Sequence, residues 1–231
     1  MARAVALGVA VVLLAALPGE AQVLSMPSQT PRGGSVELRF GLYRPQLDSE
    51  QGLSGTPFTD VFGGSSWLLG EAEFQRFFYQ GVGSAGLSLS VGYAEKYGNA
   101  LLDDGSKSVE RQGFHVVPLH LRGVYRFDYP AFHWSFPLIP YIKPGLVYIP
   151  WWTNKGDKTE TTTTNKGSGG KLGWEVAGGV SFLLDVLEPR FARDFDSDLG
   201  INHSYVFAEY TYSKVNNFGG QGLNLSDSYW M

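Results

Sequence analysis

Long stretches of this chain alternate apolar and polar residues with a period of two, and that pattern leaves little choice of fold. In residues 35–45, SVELRFGLYRP, Val36, Leu38, Phe40 and Leu42 fall on one side and Glu37, Arg39, Gly41 and Tyr43 on the other. In residues 84–96, SAGLSLSVGYAEK, Ala85, Leu87, Leu89, Val91 and Tyr93 alternate with Ser84, Gly86, Ser88, Ser90, Gly92 and Ala94. Residues 116–127 set Val117, Leu119, Leu121, Gly123, Tyr125 and Phe127 against a face carrying His120, Arg122 and Arg126. Residues 171–184 set Leu172, Trp174, Val176, Val180 and Phe182 against Lys171, Gly173, Glu175, Ala177, Gly179 and Ser181. Successive side chains of a strand point to opposite faces, so each segment reads as a strand with one apolar and one polar side.

Three further segments follow the same rule less cleanly. Residues 67–78 group Glu71, Glu73 and Gln75 opposite Leu68, Ala72, Phe74 and Phe78, which leaves Arg76 on the apolar side, tolerable only near a strand end. Residues 140–151 place Lys143 opposite Ile142, Leu146 and Tyr148, and residues 204–214 place Glu209, Thr211 and Ser213 opposite Val206, Ala208, Tyr210 and Tyr212. Residues 222–231 begin an eighth strand. Pro118 and Pro144 each remove a ladder donor within a strand, and a bulge is expected at both. The expected fold is all-β: an eight-stranded antiparallel barrel. Segments of 11 to 14 residues suit tilted strands crossing a bilayer, which need about 9–11 residues in the hydrocarbon.

A soluble barrel alternates too, but it turns the apolar set inward and the polar set to water. Here the polar sets mix Gly and Ser with single charges of both signs: Glu37, Arg39, Glu71, Glu73, Arg122, Lys143, Glu175 and Glu209. That mixture suits a narrow interior, where small residues leave room and opposite charges pair, because an unpaired buried charge is costly. Eight strands enclose a space that side chains fill, so a plugged interior is expected. The aromatics gather near strand ends. Tyr43, Trp67, Tyr93, Tyr97, Tyr148, Trp151, Trp152, Trp174 and Tyr212 mark one set of ends. Phe77, Phe78, Tyr79, Tyr125, Phe127, Tyr129, Trp134 and Phe136 mark the other. Two such girdles are expected where a membrane meets water, with Trp67, Trp134, Trp151, Trp152 and Trp174 as interface residues.

The N-terminus carries its own address. Arg3, the apolar run from Ala4 to Leu17, Pro18, and small residues at Gly19 and Ala21 read as a secretory signal peptide over residues 1–21. The run is too short for an anchor helix, which needs about 20 residues. Residues 22–34 form a short periplasmic lead, and residues 35–231 form the barrel. The absence of cysteine excludes a lipid-anchored lipoprotein, a disulfide scaffold and thiolate metal sites. A net charge of −4 offers no basic footprint for nucleic acid.

The alternating strands, with PYIKPGLVY and GWEVAGGVSFLL, resemble the small eight-stranded outer-membrane barrels of Gram-negative bacteria, the OmpA and OmpX type. FGLYRPQLDSE and LEPRFARDFDSDLGINHSYVFAEY are similar to a poorly characterised family of such barrels. The resemblance covers nearly the whole mature chain and rests on patterns rather than chemical signatures. It implies an outer-membrane location, contact with outer-membrane lipid and lipopolysaccharide, insertion by the barrel-assembly machinery and a monomeric state. Such barrels usually end on an aromatic residue, most often Phe. This chain ends Ser228, Tyr229, Trp230, Met231, so the last strand is either cut short, the favoured reading, or atypical. With a periplasmic N-terminus, the outer loops are 46–66, 97–111, 152–170 and 215–221, and the inner turns are 79–83, 128–138 and 185–203. The last is long for an inner turn, and Pro189 suggests a short helix in it.

Candidate chemistry is sparse. Asn202, His203, Ser204 and Glu209 invite comparison with lipid-deacylating barrels, but adjacent His and Ser point to opposite faces, and catalysis needs them within hydrogen-bond reach. No serine or acid stands beside His115 or His120 in sequence. Asp194, Asp196 and Asp198 echo a calcium loop, yet Leu199 replaces its glycine and Tyr205 its terminal Glu. The TETTTT run at 159–164 reads as a solvated outer loop, with a contact surface for sugars, phage or neighbouring cells as the alternative. The expectation is therefore a non-catalytic barrel without cofactor or metal, of structural, adhesive or surface-recognition role. The alternatives are a soluble secreted or periplasmic barrel binding an apolar ligand, and a lipid-modifying barrel enzyme.

Overall fold

The computed structural model describes residues 10–15, 33–50, 53–102, 105–134, 136–155, 158–159, 167–187 and 201–231. The fold is all-β, and every described strand belongs to one antiparallel sheet. The strands are β1 (Ala10–Ala15), β2 (Gly34–Tyr43), β3 (Trp67–Gln80), β4 (Ser84–Leu101), β5 (Lys107–Val116), β6 (Leu119–Arg126), β7 (Leu138–Lys155), β8 (Lys158–Thr159), β9 (Ser168–Leu183), β10 (Ile201–Val215) and β11 (Asp227–Trp230). The order is β1-β2-β3-β4-β5-β7-β9-β10-β11; β6 carries on the lane of β5 between β4 and β7, and β8 folds back on the end of β7. Two short helices, α1 (Pro57–Phe62) and α2 (Tyr129–His133), lie at opposite ends of the sheet. The end where β2 passes to β3 is called the upper end below, and the end where β3 passes to β4 the lower.

The period-two reading translates directly into two faces, with the usual burial of a water-soluble sheet reversed. Along β2, Glu37 and Arg39 are buried, whereas Val36, Leu38, Phe40 and Leu42 are exposed. The same inversion runs through β3, β4, β6, β7 and β9, where Leu68, Phe74, Leu87, Leu89, Leu121, Ile142, Leu146, Leu172 and Val176 face out. Arg76 is exposed, opposite Gly34 near the lower end of β3, as its place in the alternation requires.

The bulges expected at the prolines are absent. Pro118 lies with Val117 in the gap that separates β5 from β6, yet both strands keep one register against β4: Ala94 faces Val116 and Val91 faces Leu119. The interruption is bridged because Gly92 N–H donates to the Pro118 carbonyl (2.8 Å) and Val117 N–H donates to Pro150 (3.0 Å). At Pro144 the ladder with β9 is continuous, while the ladder with β6 lapses between the Arg122–Gly145 and Tyr125–Ile142 pairs without a shift. A missing donor therefore costs a rung, not the register. The register shifts among the described residues fall instead between Phe77 and Tyr79, between Asn99 and Leu101 and between Leu13 and Ala15, close to strand ends.

Four strands, β4, β7, β9 and β10, outrun the expected 11 to 14 residues. β4 and β7 are each 18 residues long, so their upper parts take in segments expected as the loops 97–111 and 152–170. Antiparallel pairing satisfies the backbone in any solvent, so nothing stops it where the apolar pattern stops. The 46–66 segment is not a loose loop either. Asp48 caps α1, its two carboxylate oxygens accepting from Phe58 N–H (2.8 Å) and Thr59 N–H (3.0 Å), and the helix packs against β4. Gly98 permits that approach, since a Cβ there would stand 2.1 Å from the Val61 carbonyl oxygen.

β11 is short, as the sequence suggested, and it stops halfway along β10. Met231 exchanges both backbone bonds with Glu209 (2.9 and 2.8 Å). β1 takes up the same lane directly below, with Ala10 opposite Phe207, and pairs on its other side with β2. The expected signal peptide thus contributes Ala10–Ala15 to the sheet, and the rest of residues 1–21, with residues 22–32, lies outside the described residues. So do Pro189, the three aspartates at 194, 196 and 198, and the 160–164 part of the threonine run.

Candidate functional site

The buried face is organised around a belt of charge at mid-height. Antiparallel register sets Arg39 opposite Glu71 and Glu37 opposite Glu73. Two carboxylates directly across a ladder repel. Here Lys143 from β7 reaches between them, its Nζ 2.8 Å from Glu37 Oε2 and 2.9 Å from Glu73 Oε1. Gln75 Nε2 donates to the same pair, at 2.6 Å to Glu37 and 2.5 Å to Glu73. Arg39 Nη1 lies 2.5 Å from Glu73 and 3.3 Å from Glu71, and its Nη2 binds Glu209 of β10. Arg122 joins Glu175 through Nε (2.6 Å) and Glu73 through Nη1 (2.7 Å). All eight charged residues expected inside are buried, and all eight meet in this one network.

Two members escaped the site assignment made from sequence, although both lie on the polar face of 116–127. Arg126 binds Glu37, and its guanidinium stands over the rings of Phe77 (5.6 Å), Tyr141 (5.7 Å) and Tyr205 (5.9 Å). His120 stands between Glu175 (Nδ1, 2.7 Å) and Glu71 (Nε2, 3.1 Å). With Arg126 included, Glu37, Glu71, Glu73, Glu175 and Glu209 face Arg39, Arg122, Arg126 and Lys143, and His120 sits where a further positive charge would complete the balance. Burial of ions is tolerable only in such a mutually paired arrangement.

Apolar layers close the belt off above and below. The upper layer gathers Tyr43, Trp67, Leu69, Phe114, Ile149, Leu225 and Met231 with Phe62 of α1, and Tyr43 Oη donates to the Leu225 carbonyl (2.7 Å). The lower layer joins Phe77, Val124, Ala131 of α2, Ile139, Tyr141, Leu183, Tyr205 and Phe207.

The interface tryptophans divide. Trp134, Trp152 and Trp174 lie outside the buried core; Trp134 and Trp174 are exposed, and Trp152 is half-buried on the outward side of β7. Trp67 and Trp151 do not belong with them. Alternation carries Trp67 to the buried side with Leu69 and Glu71, where it is 4% exposed. Trp151 follows Val147 and Ile149 inward and stacks on Phe114, 5.7 Å between centroids and 4° between planes. Neighbours in a strand cannot share a face, so the Trp151–Trp152 pair has to split.

The histidine–serine–glutamate grouping is not assembled. His203 Nδ1 meets Asp185 Oδ2 at 2.5 Å and its ring lies against Phe132, while Glu209 is engaged in the belt by Arg39 and Lys143. Among the described residues, no group of three or more His, Cys, Asp or Glu is arranged to hold a metal ion. The class defined so far is an all-β protein built on one antiparallel sheet, with charge on its buried face and hydrocarbon on its exposed one. No known family model matches the chain, and a search of the curated proteins finds no match.

Proposed function

We propose that this chain is an integral outer-membrane β-barrel without catalytic activity, whose role is structural, adhesive or surface-recognising. In this reading, residues 1–21 direct export, and the lanes of β2, β3, β4, β5 with β6, β7, β9, β10 and β11 close into an eight-stranded barrel. The barrel inserts as a monomer through the assembly machinery. The observation that carries the reading is the inversion of the two faces: apolar side chains of strand after strand are exposed while nine or more ionisable groups are buried. In water that arrangement wastes apolar burial and strands the charges, whereas in a bilayer the exposed face meets lipid. Exposed rings at both ends of the strands support it: Tyr93, Tyr148, Trp174 and Tyr212 above, Phe78, Tyr79, Tyr125 and Phe136 below. The buried charge speaks against a soluble barrel with an apolar ligand inside. Heat-modifiable migration on gels, together with flotation on lipid vesicles, tests the reading. A mature protein recovered soluble from the periplasm would refute it.

A further inference from the structure

The exposed face is apolar along the middle of the strands, but near the upper ends of β4, β5 and β7 its chemistry changes. Register places Glu95 opposite His115, and His115 opposite Trp152. Glu95 Oε2 accepts from Tyr93 Oη (2.7 Å) and Tyr97 Oη (3.2 Å) and lies 3.3 Å from His115 Nδ1. His115 is 5% exposed although it is on the outward side. Its ring lies between Trp152 (5.1 Å, 10°) and Tyr93 (6.2 Å, 28°), and its Nε2 meets Asn154 Oδ1 at 3.0 Å. Gly113 is required here, because a Cβ would stand 2.2 Å from Asn154 Oδ1 and 2.8 Å from His115 Nε2. Two tyrosines and a histidine thus hold one oxygen of a carboxylate whose side chain remains 41% exposed. Arg111 covers the Tyr97 ring at 5.2 Å from its centroid.

We propose that this cluster binds the phosphorylated sugar headgroup of an outer-leaflet lipid, an assignment that rests on the membrane reading above. The pre-set Glu95 carboxylate accepts from sugar hydroxyl or amide groups through Oε1. The flat face of Trp152 turned away from His115 packs against the C–H side of a pyranose ring, and Arg111, held over Tyr97, pairs with the phosphate. Neither charge alone fits a simpler ligand. A bare phosphate is repelled by Glu95, and a bare ammonium by Arg111.

The test uses the full chain purified in detergent and titrated with three lipids: an acylated diglucosamine bisphosphate, phosphatidylethanolamine and phosphatidic acid. Bound lipid is counted by native mass spectrometry. The wild type should hold the glycolipid about tenfold more tightly than either glycerophospholipid, and Glu95→Gln or Arg111→Gln should each remove about tenfold of that affinity, the worth of one charge-assisted hydrogen bond. Leu121→Met, on the apolar part of the same face, should leave it unchanged. Equal affinity for all three lipids overturns the proposal, as does selectivity that survives in the Glu95→Gln/Arg111→Gln double variant. A match between phosphatidylethanolamine and the glycolipid refutes the sugar assignment in particular. Heat-modifiable migration of each variant separates the two readings: a protein that inserts without lipid selectivity fails here alone, and one that never inserts fails the parent reading.

Discussion

Replacing Arg122 with Met probes whether the belt is a dry, paired network. Arg122 is fully buried and touches Glu175 at 2.6 Å and Glu73 at 2.7 Å. Without it, Glu175 keeps only His120, while Glu73 keeps Arg39 and Lys143. The five belt carboxylates then face Arg39, Arg126 and Lys143 alone, so one more negative charge is stranded than in the wild type. Removing one partner of a buried pair costs about 3–5 kcal/mol. Glu175→Gln should cost less, about 1–3 kcal/mol, since Arg122 keeps Glu73 and the belt's carboxylates and cations are then equal in number. In the double variant both members of the pair are gone and the original imbalance returns. Its cost should fall short of the sum of the single variants by about 1–3 kcal/mol. Urea unfolding in lipid vesicles, followed by tryptophan emission, gives the midpoints and slopes. Raising salt from about 0.1 M to about 1 M should leave the coupling unchanged, because buried pairs are screened little. Single variants costing under about 1 kcal/mol, as exposed pairs do, or an additive double variant, would show a hydrated interior and refute the reasoning.

Other expectations follow from the same geometry. Val176 lies on the exposed apolar face, so Val176→Arg should cost about 2–4 kcal/mol in a bilayer and impair insertion, whereas Thr162→Arg should cost almost nothing; equal tolerance in an assembly assay would overturn the topology. Gly98→Val drives a side chain into the Val61 carbonyl and should lift α1 from β4, seen as faster protease cleavage in residues 57–62. Unchanged protection would mean that α1 is held elsewhere. In planar bilayers the wild type should show no large steady conductance, and neither should a variant lacking α1, because in the proposed barrel the belt would fill the middle. A stable open channel in either would contradict the packed interior.

Much of this was legible in sequence because strand alternation is a local property. A residue's face follows from counting by twos along the chain, and that count alone assigned Glu37, Arg39, Glu71, Glu73, Arg122, Lys143, Glu175 and Glu209 to one side. The mixture of small residues and both signs of charge then identified that side as the inner one. The same count, applied strictly, would have turned Trp67 and Trp151 inward; reading them by their closeness to strand ends did not. The helix α1 was hidden because it is six residues long and its cap, Asp48, lies nine residues before Pro57 in a segment without periodicity. The bulges were misplaced because a proline removes a donor without requiring an extra residue, so register survives at Pro118 and Pro144.

By itself the sequence determined the strands, the two faces of each and the residues available for an inner charge network, since these depend only on backbone geometry and residue type. The tertiary structure decided who pairs with whom. Arg39 meets Glu209 across 170 residues of chain, and Lys143 sits between Glu37 and Glu73 from a strand that neighbours neither. Such partners are set by the curl of the whole sheet, which brings β2, β3, β7 and β10 around a common interior. No local pattern encodes that distance, because the energy that selects it, the avoidance of an unpaired charge away from water, exists only once the sheet has closed the charges in.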